Sequence, residues 1–121
     1  MEEINQACPF NILHICDYQG GYNDLTPFLD YPGDVVNCSL KLGPQTMIPR
    51  DVARLFDRPY MGGLDRHGTM ATGSLDEIRM LVQTVHQDAP EHFILGADCT
   101  LPGYIDWDNI KTAITTAHEY K

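Results

Sequence analysis

Short apolar runs alternate with stretches of helical periodicity along this chain. Ile12-Leu13-His14-Ile15-Cys16 reads as a strand closed by Gly20-Gly21, and a brief amphipathic stretch through Leu25, Phe28 and Leu29 follows, kept short by Pro27. After the Gly33-Asp34 turn, Val35 to Leu40 reads as a second strand. Pro49 then sits where a first helical turn tolerates it and leads Val52, Ala53, Leu55 and Phe56 onto one helix face. Tyr60 to Leu64 is a third strand with Gly62 and Gly63 toward its end. The helix after it has the spacing of a capping box, Ser74 with Glu77, and an apolar stripe of Ile78, Leu81, Val82 and Val85. Phe93 to Ala97 is the fourth strand, and Asp106 caps a last helix predicted to bury Trp107, Ile110, Ala113, Ile114 and Ala117.

The pattern predicts one α/β domain over residues 1–121 with about four βα units. Parallel units of this kind have two outcomes: an open sheet wound on both faces, or part of a closed (β/α)8 TIM barrel. Such a barrel typically takes about 250 residues, so this chain would supply half. A half-barrel leaves sheet edges and apolar surface open, so the chain is expected to need the missing half-barrel or a second copy in a dimer.

Composition narrows the function classes. With 17 acidic against 8 basic residues, a formal net charge of -9 and no Lys/Arg cluster, binding to phosphate backbones or anionic lipid is unfavourable, so neither nucleic acid nor membrane is an expected partner. The apolar runs are too short to cross a bilayer, and the acidic, polar N-terminus is unlike a signal peptide; a cytoplasmic location is expected. Four cysteines without a dense pattern then read as reduced thiols or metal ligands.

Sites of parallel α/β folds gather at the C-terminal ends of strands. Here those ends carry His14, Cys16 and Asp17; Asn37, Cys38 and Ser39; Asp65, Arg66 and His67; and Asp98, Cys99 and Thr100. His14 and Cys16, two apart on a strand, share a face. With Cys99 they would form a Cys2His set with one open tetrahedral position, the form of a catalytic zinc; otherwise His14 is a hydrogen-bonded core residue and the cysteines small buried hydrophobes. Cys38 either substitutes as a ligand or packs, and Cys8 is incidental. The run Gly62 to Gly68 sets Asp65, Arg66 and His67 in a flexible loop suited to proton transfer or an anionic ligand, or to a plain polar connection. Asp65, His67 and Asp98 are the catalytic candidates, Asp98 also as a carboxylate that orients an imidazole or caps a turn. Arg66 and Asn37 are candidates for holding a cofactor. His86, His92 and His118, away from strand ends, are expected at the surface.

The segments Ile12-Leu13-His14-Ile15-Cys16, Asp34-Val35-Val36-Asn37, Gly62-Gly63-Leu64-Asp65, and Ile105-Asp106-Trp107-Asp108-Asn109-Ile110-Lys111 followed by Ala117-His118-Glu119-Tyr120 resemble the last four βα units of the uroporphyrinogen decarboxylase (URO-D) superfamily. The resemblance covers nearly the whole chain and implies a URO-D domain without its N-terminal half. One branch decarboxylates uroporphyrinogen in tetrapyrrole (heme) biosynthesis without a metal, and carries a His-Gly pair where this chain reads Asp98-Cys99. The other comprises corrinoid (methylcobamide) methyltransferases that hold zinc on an H-x-C pair and a distant Cys, matched here by His14, Cys16 and Cys99. That likeness implies a zinc-bound substrate thiol, methyl exchange with a corrinoid on a partner protein, and, for the half-barrel alone, an inactive truncated or split-gene subunit.

Overall fold

The computed structural model describes residues 1–17 and 20–120. In chain order its elements are α1 (Glu2–Ala7), β1 (Ile12–Ile15), a 3-10 turn (Thr26–Phe28), β2 (Val35–Cys38), β3 (Lys41–Leu42), β4 (Gln45–Thr46), α2 (Pro49–Phe56), β5 (Tyr60–Leu64), α3 (Thr69–Thr72), α4 (Leu75–Gln87), β6 (Phe93–Ala97) and α5 (Trp107–Glu119). Strands β1, β2, β5 and β6 form one parallel sheet in that order, and β3 with β4 is a separate antiparallel hairpin. Because the strand order never reverses, the sheet has no point where its winding changes direction.

Registers sort the side chains into rows. Leu13, Val36, Tyr60 and Phe93 pair across the four strands, and one residue further on so do His14, Asn37, Met61 and Ile94. Period two points adjacent rows to opposite faces. The first row meets α2, whose Val52, Ala53 and Phe56 join Leu13, Ile15, Val36, Cys38 and Tyr60 in one core cluster. A second cluster, Leu64, Met70, Ile78, Val82 and Ala113 with half-buried Leu95, Ile110 and Ala117, packs α3, α4 and α5 on that same face. On the opposite face Ile12 and Ile94 are 44% and 42% exposed.

Local chemistry fixes the helices. Pro49 opens α2. The Ser74 Oγ accepts the Glu77 N–H at 3.2 Å while Glu77 Oε1 accepts the Ser74 N–H at 2.9 Å, a complete capping box for α4. Asp106 Oδ1 accepts the Asp108 N–H at the start of α5.

Several sequence expectations are corrected. The second strand stops at Cys38 instead of Leu40, and Ser39-Leu40 leads into the β3–β4 hairpin, turned at Gly43 with φ of 60°. Leu55 is 36% exposed, and α5 leaves Trp107 and Ile114 71% and 51% exposed. Ala113 is buried and Ile110 and Ala117 pack on the core as expected, while Asn109 and Thr116 are buried in addition, Asn109 Nδ2 donating 3.1 Å to the Met70 carbonyl and setting the helix rotation. His86 is no surface residue: its ring packs against Phe93 and Tyr120, burial lowers its pKa, and its shielded Nε2 has no hydrogen-bond partner among the described residues. Among the described residues no helix is long and apolar enough to cross a membrane.

Candidate metal centre

His14 and Cys16 belong to β1 and the residue just beyond it, and Cys99 follows β6; these are the two edges of the sheet. In a flat sheet three strand spacings would set those edges about 14 Å apart. Yet Cys16 Sγ and Cys99 Sγ are 3.6 Å apart, and the donor atoms of His14, Cys16 and Cys99 all lie within 4.8 Å of one another. The strand ends therefore curl toward each other on the face without helices.

Two polar side chains hold that curl. Asn37, buried among apolar neighbours in β2, stands opposite His14 in register. Its Oδ1 is 2.5 Å from His14 Nδ1, and its Nδ2 donates to the Met61 carbonyl of β5 at 2.9 Å and the Ala97 carbonyl of β6 at 3.1 Å. Arg66, just past β5, ties the two ligand-bearing segments by charge. Its Nη1 lies 2.9 Å from Asp17 Oδ1 and 3.3 Å from Asp98 Oδ1, and its backbone N–H donates to Asp98 Oδ1 at 3.0 Å. Asp17 follows Cys16 and Asp98 precedes Cys99, so one guanidinium pins both. Among the described residues this Asp17 oxygen makes its contact through that ion pair. Tyr22 adds a third anchor, its hydroxyl donating to the Cys16 carbonyl at 2.9 Å.

The thiols differ by location. Cys99 is half-buried, and its pKa is lowered by the Thr100 backbone N–H first, against the opposing effect of burial, and then by the neighbouring His14 and Cys16 side chains. Cys38 points to the helix-packed face, where burial first and then the charges of Asp17 and Asp98 push it up to about 12. It is a packing residue and, among the described residues, joins no donor cluster. Cys8 is exposed.

The other candidates fall beside the cluster. Asp65 Oδ2 pairs with Lys41 Nζ at 2.6 Å and Oδ1 accepts the His67 N–H at 2.9 Å. Partial burial acts to raise the Asp65 pKa, but Lys41 and that N–H outweigh it and hold the carboxyl low. His67 itself is exposed. Neither belongs to the three-donor group. Arg66 and Asn37, expected to hold a cofactor, are engaged with protein groups, as is Asp98. Asp17 and Tyr22 were not singled out as site-builders in the sequence; only the placement of Asp17 at a strand end hinted at one. A cavity of about 360 Å³ lies under the hairpin, lined by Met47, Tyr60, Leu81 and Val85 among others, but none of the three donors lines it.

The donor set fits a tetrahedral thiophilic ion. With zinc–sulfur bonds of about 2.3 Å, two thiolates on one zinc lie about 3.8 Å apart, close to the 3.6 Å between Cys16 and Cys99. Two thiols and one imidazole are soft donors that favour zinc over magnesium or calcium.

No family model matches the sequence, and no curated protein is significantly similar to it. Among solved structures the chain is similar to a methyltransferase from Methanosarcina mazei, with a TM-score of 0.72 and 16% identity over 98% of this chain. The match takes in 34% of that protein, so this chain spans about a third of its length. At such identity the likeness is one of fold.

Proposed function

We propose that this chain is the C-terminal half of a (β/α)8 barrel of URO-D type that holds zinc on His14, Cys16 and Cys99 and serves methyl transfer between a corrinoid and a thiol. The observation that carries the reading is the convergence of three soft donors from the two opposite edges of the sheet. Support for the barrel comes from four parallel strands in chain order, helices packed on one face, and the curl of the other. The solved methyltransferase of similar fold is the reason to choose methyl transfer.

Three protein donors leave a fourth tetrahedral position for a substrate thiol. A free thiol titrates near about 8.5 and is mostly protonated at neutral pH; bound zinc would lower that value and make the thiolate available. The chain's own part is positional. Asp17, Arg66 and Asp98 keep Cys16 and Cys99 at ligating distance, and the exposed His14 keeps the site open to an incoming substrate. Asp65 and His67, at the next strand end, are the chain's candidates for proton transfer.

The remaining strands would pack on the helix-free face, over Ile12 and Ile94, whichever segment or copy supplies them. A partner protein would bring the corrinoid to the open mouth. The mouth is complete only with those strands, so activity is expected of this segment together with them.

Metal analysis after purification in zinc-containing buffer tests the site. Roughly one zinc per chain is expected, and Cys16→Ser, Cys99→Ser and His14→Ala should each lose it with the fold intact by circular dichroism. Zinc at background in the unsubstituted chain, or unchanged in Cys16→Ser, refutes the reading. Joined to a complementary half-barrel, the chain should methylate a thiol from methylcobalamin, and the same substitutions should abolish that turnover.

A further inference from the structure

The amide of Asn37 is placed so that its orientation is dictated by its neighbours. The Met61 and Ala97 carbonyls, at 2.9 and 3.1 Å, are acceptors only, so the nitrogen end of the amide must face them. The oxygen end is thereby turned to His14 Nδ1 at 2.5 Å. An amide oxygen accepts and never donates; at that distance a bare Nδ1 would oppose two lone pairs, so Nδ1 must carry the ring proton. In the neutral ring the free lone pair is then on Nε2.

We infer that Asn37 is a positioning residue that fixes the tautomer of His14 and so selects Nε2 as the nitrogen offered to a metal. The inference deepens the zinc reading and rests on it for its consequence, though the tautomer stands without metal. It follows from the register as much as from the contact. Asn37 lies in the same row as His14, and its bonds reach β1, β5 and β6 from its own place in β2, so one buried amide touches all four strands. The Met61 carbonyl is followed by Gly62 with φ of 147°, a conformation that side-chain-bearing residues rarely adopt. Asn37 therefore couples the direction of the imidazole to the curl that brings Cys99 to Cys16. Metal-binding histidines commonly need such a partner on the other ring nitrogen, and losing it typically weakens metal binding roughly 10- to 100-fold.

The test starts with the unsubstituted, metal-free chain at neutral pH, using two-bond 1H–15N correlation of the His14 ring. The Nδ1–H pattern is expected; an Nε2–H pattern overturns the assignment, with no variant needed. In Asn37→Ala the ring should shift toward Nε2–H, and zinc affinity measured by chelator competition should fall roughly 10- to 100-fold. Asn37→Asp keeps an acceptor toward His14 while losing both donors to the carbonyls, so it should retain Nδ1–H even where its melting temperature drops. Unchanged zinc affinity in a folded Asn37→Ala overturns the positioning role. Failure of the unsubstituted chain to take up zinc refutes the metal reading alone, because the ring tautomer still decides what Asn37 does to His14.

Discussion

Two rows of side chains cross the same four strands one residue apart, and different forces build them. Leu13, Val36, Tyr60 and Phe93 face the helices, where Val36 and Tyr60 are fully buried and hydrophobic burial is enough to set their places. His14, Asn37, Met61 and Ile94 face away, and there the arrangement depends on directed bonds from Asn37 and on the Arg66 ion pairs. The difference teaches that one face supplies stability and the other geometry. Cysteine shows it within one residue type: Cys38 on the packed face is an inert filler, and Cys16 and Cys99 on the other side meet as donors.

The largest expected contrast is in thiol reactivity. With its thiol pushed up to about 12, Cys38 holds almost no thiolate at pH 8; an ordinary cysteine holds about a quarter, a gap on the order of a thousandfold before access is counted. Timed iodoacetamide labelling with peptide mass spectrometry should modify Cys8, Cys16 and Cys99 and spare Cys38 in the folded chain. Rapid labelling of Cys38 would break the distinction between faces.

Next in size is the core itself. Ile78→Ala removes a fully buried side chain and should cost about 3 kcal/mol in urea unfolding. Ile94→Ala, at a position 42% exposed, should cost less than about 1 kcal/mol in the lone chain. If a complementary half-barrel covers that face, the two costs should draw together in the assembly. Equal costs in the lone chain would remove the asymmetry.

The ion pairs sharpen the comparison at a smaller scale. Arg66→Ala strips the buried Asp98 of its counter-charge and should cost roughly 2–3 kcal/mol, below a fully buried pair because Asp17 keeps some water. Lys41→Ala breaks a solvent-exposed pair with Asp65, worth less than about 1 kcal/mol and less still at high salt. Unfolding at low and high ionic strength separates the two, and a salt-insensitive Lys41 variant with a large loss would contradict the assignment.

How far the sequence disclosed this depends on whether a feature is local. Strand positions and the start of α4 were legible because period two and a Ser74–Glu77 capping box act within a few residues. The β3–β4 hairpin is faint in the sequence because its strands are two residues each, too short to show alternation around the Gly43-Pro44 turn. On α5 the inward positions of Ile110, Ala113 and Ala117 are legible but the exposure of Trp107 and Ile114 is not, because the apolar pattern runs past the buried face and what sets the rotation is a polar contact, Asn109 to Met70, 39 residues away. At the site, the shared face of His14 and Cys16 followed from spacing alone. The proximity of Cys99 depends on the curl of four strands, and the roles of Asn37 and Arg66 depend on which residues stand opposite them in register, neither of which any short stretch of sequence encodes.

The meeting of Cys16 and Cys99 joins positions 83 residues apart, and this bears on the unfolded chain as much as on the folded one. Any tie between those sulfurs encloses most of the molecule in one loop. Treated as a cross-link, a loop of that length removes chain entropy worth about 4.5 kcal/mol from the denatured ensemble. An occupied site would then act as a clasp that slows the opening of the first and last strands together, and its loss would be felt first in the rate at which the chain comes apart.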